Sequence, residues 1–217
     1  ILNQDRMPEI KTAFFGKRYT NEEIISCLES KDIKYEWVDD QRLFDKVTDK
    51  LIEGGVVGWF QGRSEFGPRA LGNRSIIVDP RRKDVQDLLN RKIKRRESFR
   101  PFAPSILEES IPEYFIQNDC SRFMEKVYFI KEEKRSEIPA VTHVDGSGRL
   151  QSVHKDISPK YYSLISKFKE KSGVPILLNT SFNENEPIVL NPQQALDCFL
   201  RTKMDCLVLN NYLIKRK

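Results

Sequence analysis

Short apolar runs set between amphipathic stretches constrain this chain more than any other feature. "VVGWF" (56–60), "SIIVD" (75–79), "VPILLN" (174–179) and "CLVL" (206–209) each have the length of a buried strand. Helical periodicity lies between them. "TNEEIISCLES" (20–30) opens on a capping residue. "QRLFDKVTDKLIEGG" (41–55) places Leu43, Phe44, Val47, Leu51 and Ile52 on one face and stops at glycine. "KDVQDLLNRKI" (83–93) turns Val85, Leu88 and Leu89 inward. "SPKYYSLISKFKEKSG" (158–173) has Ser158 as cap, Pro159 at the first helical position and Gly173 as stop. "NPQQALDCFLRT" (191–202) is another capped helix. Strands are further expected in "IKYEWV" (33–38), "KVYFI" (126–130), "PIVL" (187–190) and "CLVLNNYLI" (206–214), the last as one or two. "PAVTHVDGSGRLQSV" (139–153) reads as two strands around a D-G-S-G turn, and "IPEYF" (111–115) as a helical turn. "FRPFAPSIL" (99–107), with two prolines, reads as an extended segment or an edge strand. Such a mixture, with several hairpin-like pairs, predicts an α/β fold on a mixed sheet.

Composition narrows the class. The chain has 217 residues, 39% of them hydrophobic, and a formal net charge of +5. It is long enough for one good-sized domain, and no run approaches the length of a bilayer span. Cys27, Cys120, Cys198 and Cys206 form no C-x-x-C pair and accompany no histidine cluster, so reduced thiols in a cytoplasm are the expectation. The charge excess is too modest to announce a nucleic-acid binder.

Fixed positive charge is nevertheless concentrated. "GRSEFGPRALGNR" (62–74) carries Arg63, Arg69 and Arg74 among glycines. Arginine offers a planar fork for phosphate or carboxylate oxygens, and glycine lets backbone amides approach them. The spacing fits neither the phosphate loop nor the dinucleotide fingerprint. A surface turn whose arginines pair with Glu65 and Asp79 explains the stretch equally well. The basic segment 81–100 follows, with Lys94, Arg96 and Arg100 leading into the stiff prolines. Helix-end cations account for part of it. In "THVDGSGRLQSV", His143, Asp145 and Arg149 surround a turn, where a structural His–Asp pair is the simpler reading. In "LLNTSFN", Thr180, Ser181 and Asn183 follow a strand, where α/β crevices form and where caps also occur.

Taken together, "GRSEFGPRALGNRSIIVDPR", "KIKRRESFRPFAPSIL", "VTHVDGSGRLQSV" and "GVPILLNTSFNENEPIV" closely resemble the C-terminal domain of O-carbamoyltransferases of the nodulation-protein NodU and cephalosporin or tobramycin type. The resemblance runs in order over nearly the whole chain. It implies a YrdC-like open twisted mixed sheet flanked by helices, with a concave basic cavity. It implies residues 1–35 as a lead-in and short helix from an N-terminal transfer domain, and 36–217 as the YrdC-like domain. It implies carbamoyl phosphate and ATP with Mg²⁺ as substrates, joined into a carbamoyl adenylate. An actin-like domain of the same polypeptide would then pass the carbamoyl group to an acceptor hydroxyl. By motif, Arg63, Arg69, Arg149 and Ser181 would be catalytic. Glu65, Arg74, Lys94, Arg96, Arg100, His143, Asp145, Thr180 and Asn183 would bind substrate or nucleotide. Lys94-Arg95-Arg96 resembles the K-x-R element, and "NTSFN" resembles T-S-A-N with Phe182 in the third place. No metal ligands are assigned, no membrane partner is expected, and a homodimer is left open. An RNA-binding module, or a domain that only supports transfer, is the alternative from another class.

Overall fold

The computed structural model describes residues 10–216. The first nine residues of the expected lead-in lie outside them. Helices α1 (Asn21–Glu29), α2 (Asp40–Ile52), α3 (Val85–Lys92), α4 (Ile111–Tyr114), α5 (Glu132–Arg135), α6 (Pro159–Ser172) and α7 (Pro192–Arg201) alternate with nine described strands. The strands are β1 (Glu36–Trp37), β2 (Val57–Phe60), β3 (Arg74–Val78), β4 (Ala103–Leu107), β5 (Lys126–Phe129), β6 (Ser147–Val153), β7 (Ile176–Ser181), β8 (Cys206–Leu209) and β9 (Tyr212–Lys215). They form one open sheet in the order β1-β9-β8-β2-β3-β7-β4-β6-β5. The β2–β8 and β4–β6 pairs are parallel and the rest antiparallel, so the sheet is mixed, as the sequence implies.

Local chemistry sets the helix ends. Thr20 Oγ1 accepts from the Glu23 amide, and Glu23 Oε2 accepts from the Thr20 amide, a full capping box on α1. Gly173 ends α6 at φ 79°, a left-handed stop that a side chain would resist. Asn191 caps α7 through the Gln194 amide. α2 and α6 pack together against β2, β4 and β7, while α1 packs on α7 over β2 and β8. Ile24 and Leu28 of α1 join the main core, so the segment before β1 is knitted to the sheet. Phe182 is fully buried against Gly58, where an added Cβ would meet its ring at 2.8 Å.

Four expectations are corrected. The proline-rich β4 is central, between β7 and β6, not an edge. Pro104 is tolerated because the ladder to β6 begins only at Ser105, so its missing N–H leaves no bond unmade on that side. Residues 139–153 hold one strand, β6, preceded by a 3₁₀ turn at Pro139–Val141. The strand expected before the turn gives way because β6 takes β4 and β5 as neighbours. "PIVL" forms no strand: Val189 is buried and its amide reaches Phe182 O, a single loop bond. Ile52 stays 38% exposed at the last turn of α2, outside the stripe of Leu43, Val47 and Leu51.

Topology places the functional motifs. Pairing β3 and β4 antiparallel to β7, and β6 parallel to β4, brings five strand ends to one edge of the sheet. These are the C-terminal ends of β2 and β7 and the N-terminal ends of β3, β4 and β6. The connections 61–73, 93–102, 142–146 and 182–191 all emerge there.

Candidate functional site

The loop from β2 to β3 is held by its own carboxylate. Glu65 Oε1 accepts from the amides of Leu71 (2.7 Å), Asn73 (2.9 Å) and Arg74 (3.2 Å). Gly72, at φ 105°, packs so closely on Tyr161 that an added Cβ would lie 2.3 Å from its ring. Two buried amide side chains grip the same segment from below. Asn179 Nδ2 donates to Ala70 O (3.1 Å) and Gln151 Nε2 to Leu71 O (2.7 Å). Gln151 Oε1 in turn accepts from Ser105 Oγ and Asn179 Nδ2.

Within this loop the three arginines differ. Arg74 is fully buried over the Phe60 ring, its guanidinium donating to Gln61 O and Asn73 O. Burial pushes it down to about 10. It braces the loop. Arg63 is exposed at the other end, its Nη1 3.4 Å from Gly16 O. Arg69 is exposed on a cleft of about 380 Å³ that Arg74, Asn183 and Ile188 also line.

Across the sheet edge, Arg149 reaches up from β6. Its Nε is buried and lacks a hydrogen-bond partner, and no carboxylate pairs with it among the described residues. Burial first, then Arg69 and Arg96, hold it below the usual arginine range. Arg96 is half-buried over Phe102 and donates through Nε to Asn90 Oδ1 (2.7 Å). Burial and Arg100 lower it as well. Lys94 is 2% exposed. Its three protons face four oxygens: Ser181 O (2.5 Å), Asn183 Oδ1 (2.7 Å), Asn183 O (2.9 Å) and, farther off, Ser181 Oγ (3.3 Å). Burial, with Arg96 beside it, pushes Lys94 down to about 7 despite those acceptors. Arg69, Arg96, Arg149 and Lys94 thus make a cationic cluster that repels itself, an arrangement suited to an incoming anion.

Residues 48–216 match the family described as Carbamoyltransferase C-terminus. The chain belongs to that family. The nodulation protein NolNO of Sinorhizobium fredii is 49% identical over 85% of this chain and 28% of its own length. A 3'-hydroxymethylcephem-O-carbamoyltransferase of Amycolatopsis lactamdurans is 35% identical over 88% of the chain and 37% of its own length. The chain therefore spans roughly a third of the length of these curated relatives. Among solved structures, full-length HypF in its phosphate- and nucleotide-bound form matches with TM-score 0.57 at 20% identity. That match covers 79% of this chain and 25% of HypF. The likeness to HypF is one of fold.

The remaining motif residues of this carbamoyltransferase domain fall around the cluster. Ser181 Oγ donates to Asn183 Oδ1 (2.8 Å), and Asn183 Nδ2 to Glu186 O (2.7 Å), so the "TSFN" turn presents fixed oxygens to Lys94. Thr180 pairs with Ile76 in the sheet and is half-buried. Arg100 is exposed and ion-paired to Glu97 at 2.8 Å. Asp145 accepts from the Ser147 amide (2.9 Å) and hydroxyl (2.7 Å), closing the turn before β6, and these bonds hold its carboxyl low. His143 Nδ1 lies 3.2 Å from Ser147 Oγ, and burial outweighs Asp145 to lower it. His143 and Asp145 line a cleft of about 420 Å³ with Phe99 and Phe102. Among the described residues no three His, Cys, Asp or Glu side chains converge as a metal site.

Sequence reading passed over three buried amides that organise the site. Asn90, on α3, accepts from Arg96 and donates to Ser98 O and Arg100 O, folding back the segment after the helix. Asn179 and Gln151 do the same for the arginine loop. An uncharged polar side chain inside an apolar run, such as the Asn ending "VPILLN", is the signal that could have exposed them.

Proposed function

We propose that this domain activates carbamoyl phosphate with ATP: water releases inorganic phosphate to leave carbamate, whose oxygen attacks the α-phosphorus of ATP, so that pyrophosphate departs and a carbamoyl adenylate remains. A preceding transfer domain of a longer polypeptide passes the carbamoyl group to an acceptor hydroxyl. The observation that carries this reading is Arg149, a buried guanidinium nitrogen without a partner, facing Arg69 and Arg96. Bringing these cations together costs free energy that a bound anion would offset. Two phosphorylated substrates bring several negative charges to one place, and transfer spreads charge over phosphoryl oxygens. Preorganised arginines stabilise that charge without reorganising. Mg²⁺ enters as part of the nucleotide. Arg69 and Arg149 hold the phosphoryl groups, Lys94 adds its charge from behind the Ser181–Asn183 turn, and the cleft walled by Phe99, Phe102 and His143 offers flat apolar surface to a base. The names of the cephem O-carbamoyltransferase and of nucleotide-bound HypF accord with both halves of the reading.

Calorimetry tests it. Titrating the chain with carbamoyl phosphate, then with ATP and Mg²⁺, should give saturable heats for both, each weakened by Arg149→Gln. Exchange of labelled pyrophosphate into ATP should require carbamoyl phosphate. Absence of binding by either ligand defeats the proposal. Tight, salt-sensitive RNA binding indifferent to ATP would support the RNA-binding alternative instead.

A further inference from the structure

A third cavity, about 830 Å³, stands apart from the cationic cluster. Gln61, Gly62, Arg63 and Asn73, the two ends of the β2–β3 loop, line it, whereas the middle of that loop lines the Arg69 cleft. The loop is a common wall between them. The Asn210–Asn211 turn between β8 and β9 reaches the same edge because β8 runs parallel to β2.

Two features of this cavity ask for an anion. Arg18 and Arg63 sit opposite one another at an isolated antiparallel bridge, and neither makes an ion pair with a carboxylate among the described residues. The first turn of the 14-residue α6 also opens here, and its Ser158 makes no side-chain cap bond. The one carboxylate in the lining, Asp40, is already matched by Lys160 at 2.9 Å. Other features ask for hydroxyl groups. Asn21, Gln61, Asn73, Asn210 and Asn211 all line the cavity. The Asn73 and Asn210 amide nitrogens donate to Arg63 O and Tyr19 O, and Asn211 is engaged with Val38, Asp40 and Lys160, which leaves the Asn73 and Asn210 carbonyl oxygens to accept from a ligand. Gln61 is 2% exposed. Its Nε2 donates to Asn210 O at 2.8 Å, while its buried Oε1 has no donor. An unsatisfied buried acceptor is costly, and a ligand hydroxyl satisfies it.

We propose that this cavity binds a hydroxyl-rich small molecule bearing an anionic group, a phosphorylated sugar or polyol being the simplest member of the class. Arg18, Arg63 and the α6 N-terminus take the anion, and the amide oxygens accept from the hydroxyls. The inference does not depend on carbamoyl activation, since it uses neither Arg149 nor Lys94.

Side-chain amide signals of ¹⁵N-labelled protein give the test, with glucose 6-phosphate, glucose and inorganic phosphate as probes. Glucose 6-phosphate should shift the Gln61, Asn73, Asn210 and Asn211 amides saturably. Arg63→Gln, at an exposed position that leaves the core intact, should weaken it by about tenfold or more, and Arg149→Gln should leave it unchanged. Neither glucose nor phosphate alone should match it. The proposal fails if glucose 6-phosphate moves none of these signals, or if Arg18→Gln with Arg63→Gln leaves its affinity intact. It fails equally if Arg149→Gln abolishes binding, which would place the ligand at the cationic cluster. Glucose or phosphate binding as well as the combined probe overturns the two-part recognition. Loss of carbamoyl phosphate binding in the same protein bears only on the activation reading.

Discussion

Under the activation reading, Lys94 and Arg149 are the cations on which a bound anion should leave the clearest mark. Lys94 is pushed down to about 7, so at pH 8 much of it is neutral without a ligand. A bound phosphoryl anion favours the charged form and raises that value, so binding should draw a proton from solvent. Carbamoyl phosphate titrations at pH 8, in buffers of different ionisation enthalpy, should therefore report proton uptake. Lys94→Met should abolish it, and an unchanged buffer dependence in the variant would remove Lys94 from the account. Arg149 leads to a paired expectation. Replacing it with Met removes a half-buried charge pressed by Arg69 and Arg96, so thermal stability should hold or rise while carbamoyl phosphate affinity falls by about 1.5–3 kcal/mol. A melting curve and a titration on one variant decide it, and a variant that loses stability and keeps affinity contradicts the assignment.

At the scale of elements, the β2–β3 loop is the part on which the site turns. Its position is over-determined by Glu65 from within, Asn179 and Gln151 from below, and Arg74 at its exit. Glu65→Ala orphans three amides and should cost about 1–3 kcal/mol, read by urea denaturation. Hydrogen exchange at Leu71, Asn73 and Arg74 should speed up well before global unfolding does. Gly72→Ala is harsher, since φ 105° and the Tyr161 ring both oppose a Cβ. A loss of about 2 kcal/mol or more is expected from the same denaturation measurement. The loop also separates two cavities, so a change in it should disturb ligands on either side.

For the molecule as a whole, the chain is much shorter than the relatives it matches. The chain spans 28% of NolNO and 37% of the cephem O-carbamoyltransferase. Under the activation reading, the chain by itself should bind both substrates and exchange pyrophosphate, yet carbamoylate no acceptor hydroxyl. Mass spectrometry of acceptor incubated with the chain, ATP and carbamoyl phosphate checks this, and acceptor turnover would mean that transfer also resides here. The core tolerates little loss: Phe182, fully buried against Gly58 beside the TSFN turn, should cost about 3–5 kcal/mol as Phe182→Ala, measured by denaturant titration.

Local chemistry alone determined much of this protein. Caps at Thr20 and Asn191, the glycine stop at Gly173 and the apolar runs of β2, β3, β7 and β8 follow from neighbours along the chain, so they are legible in order. The arginine loop and the polar stretches at strand ends could be singled out for the same reason. Only the tertiary structure decided what each arginine does. Arg63, Arg69 and Arg74 share one residue type and one loop. Strand register turns Arg74 inward onto Phe60, leaves Arg69 facing Arg149, and sets Arg63 on a different cavity beside Arg18. Pro104 in a central strand has the same origin. Ladder partners come from distant parts of the chain, and hydrogen bonding to them outweighs local preference.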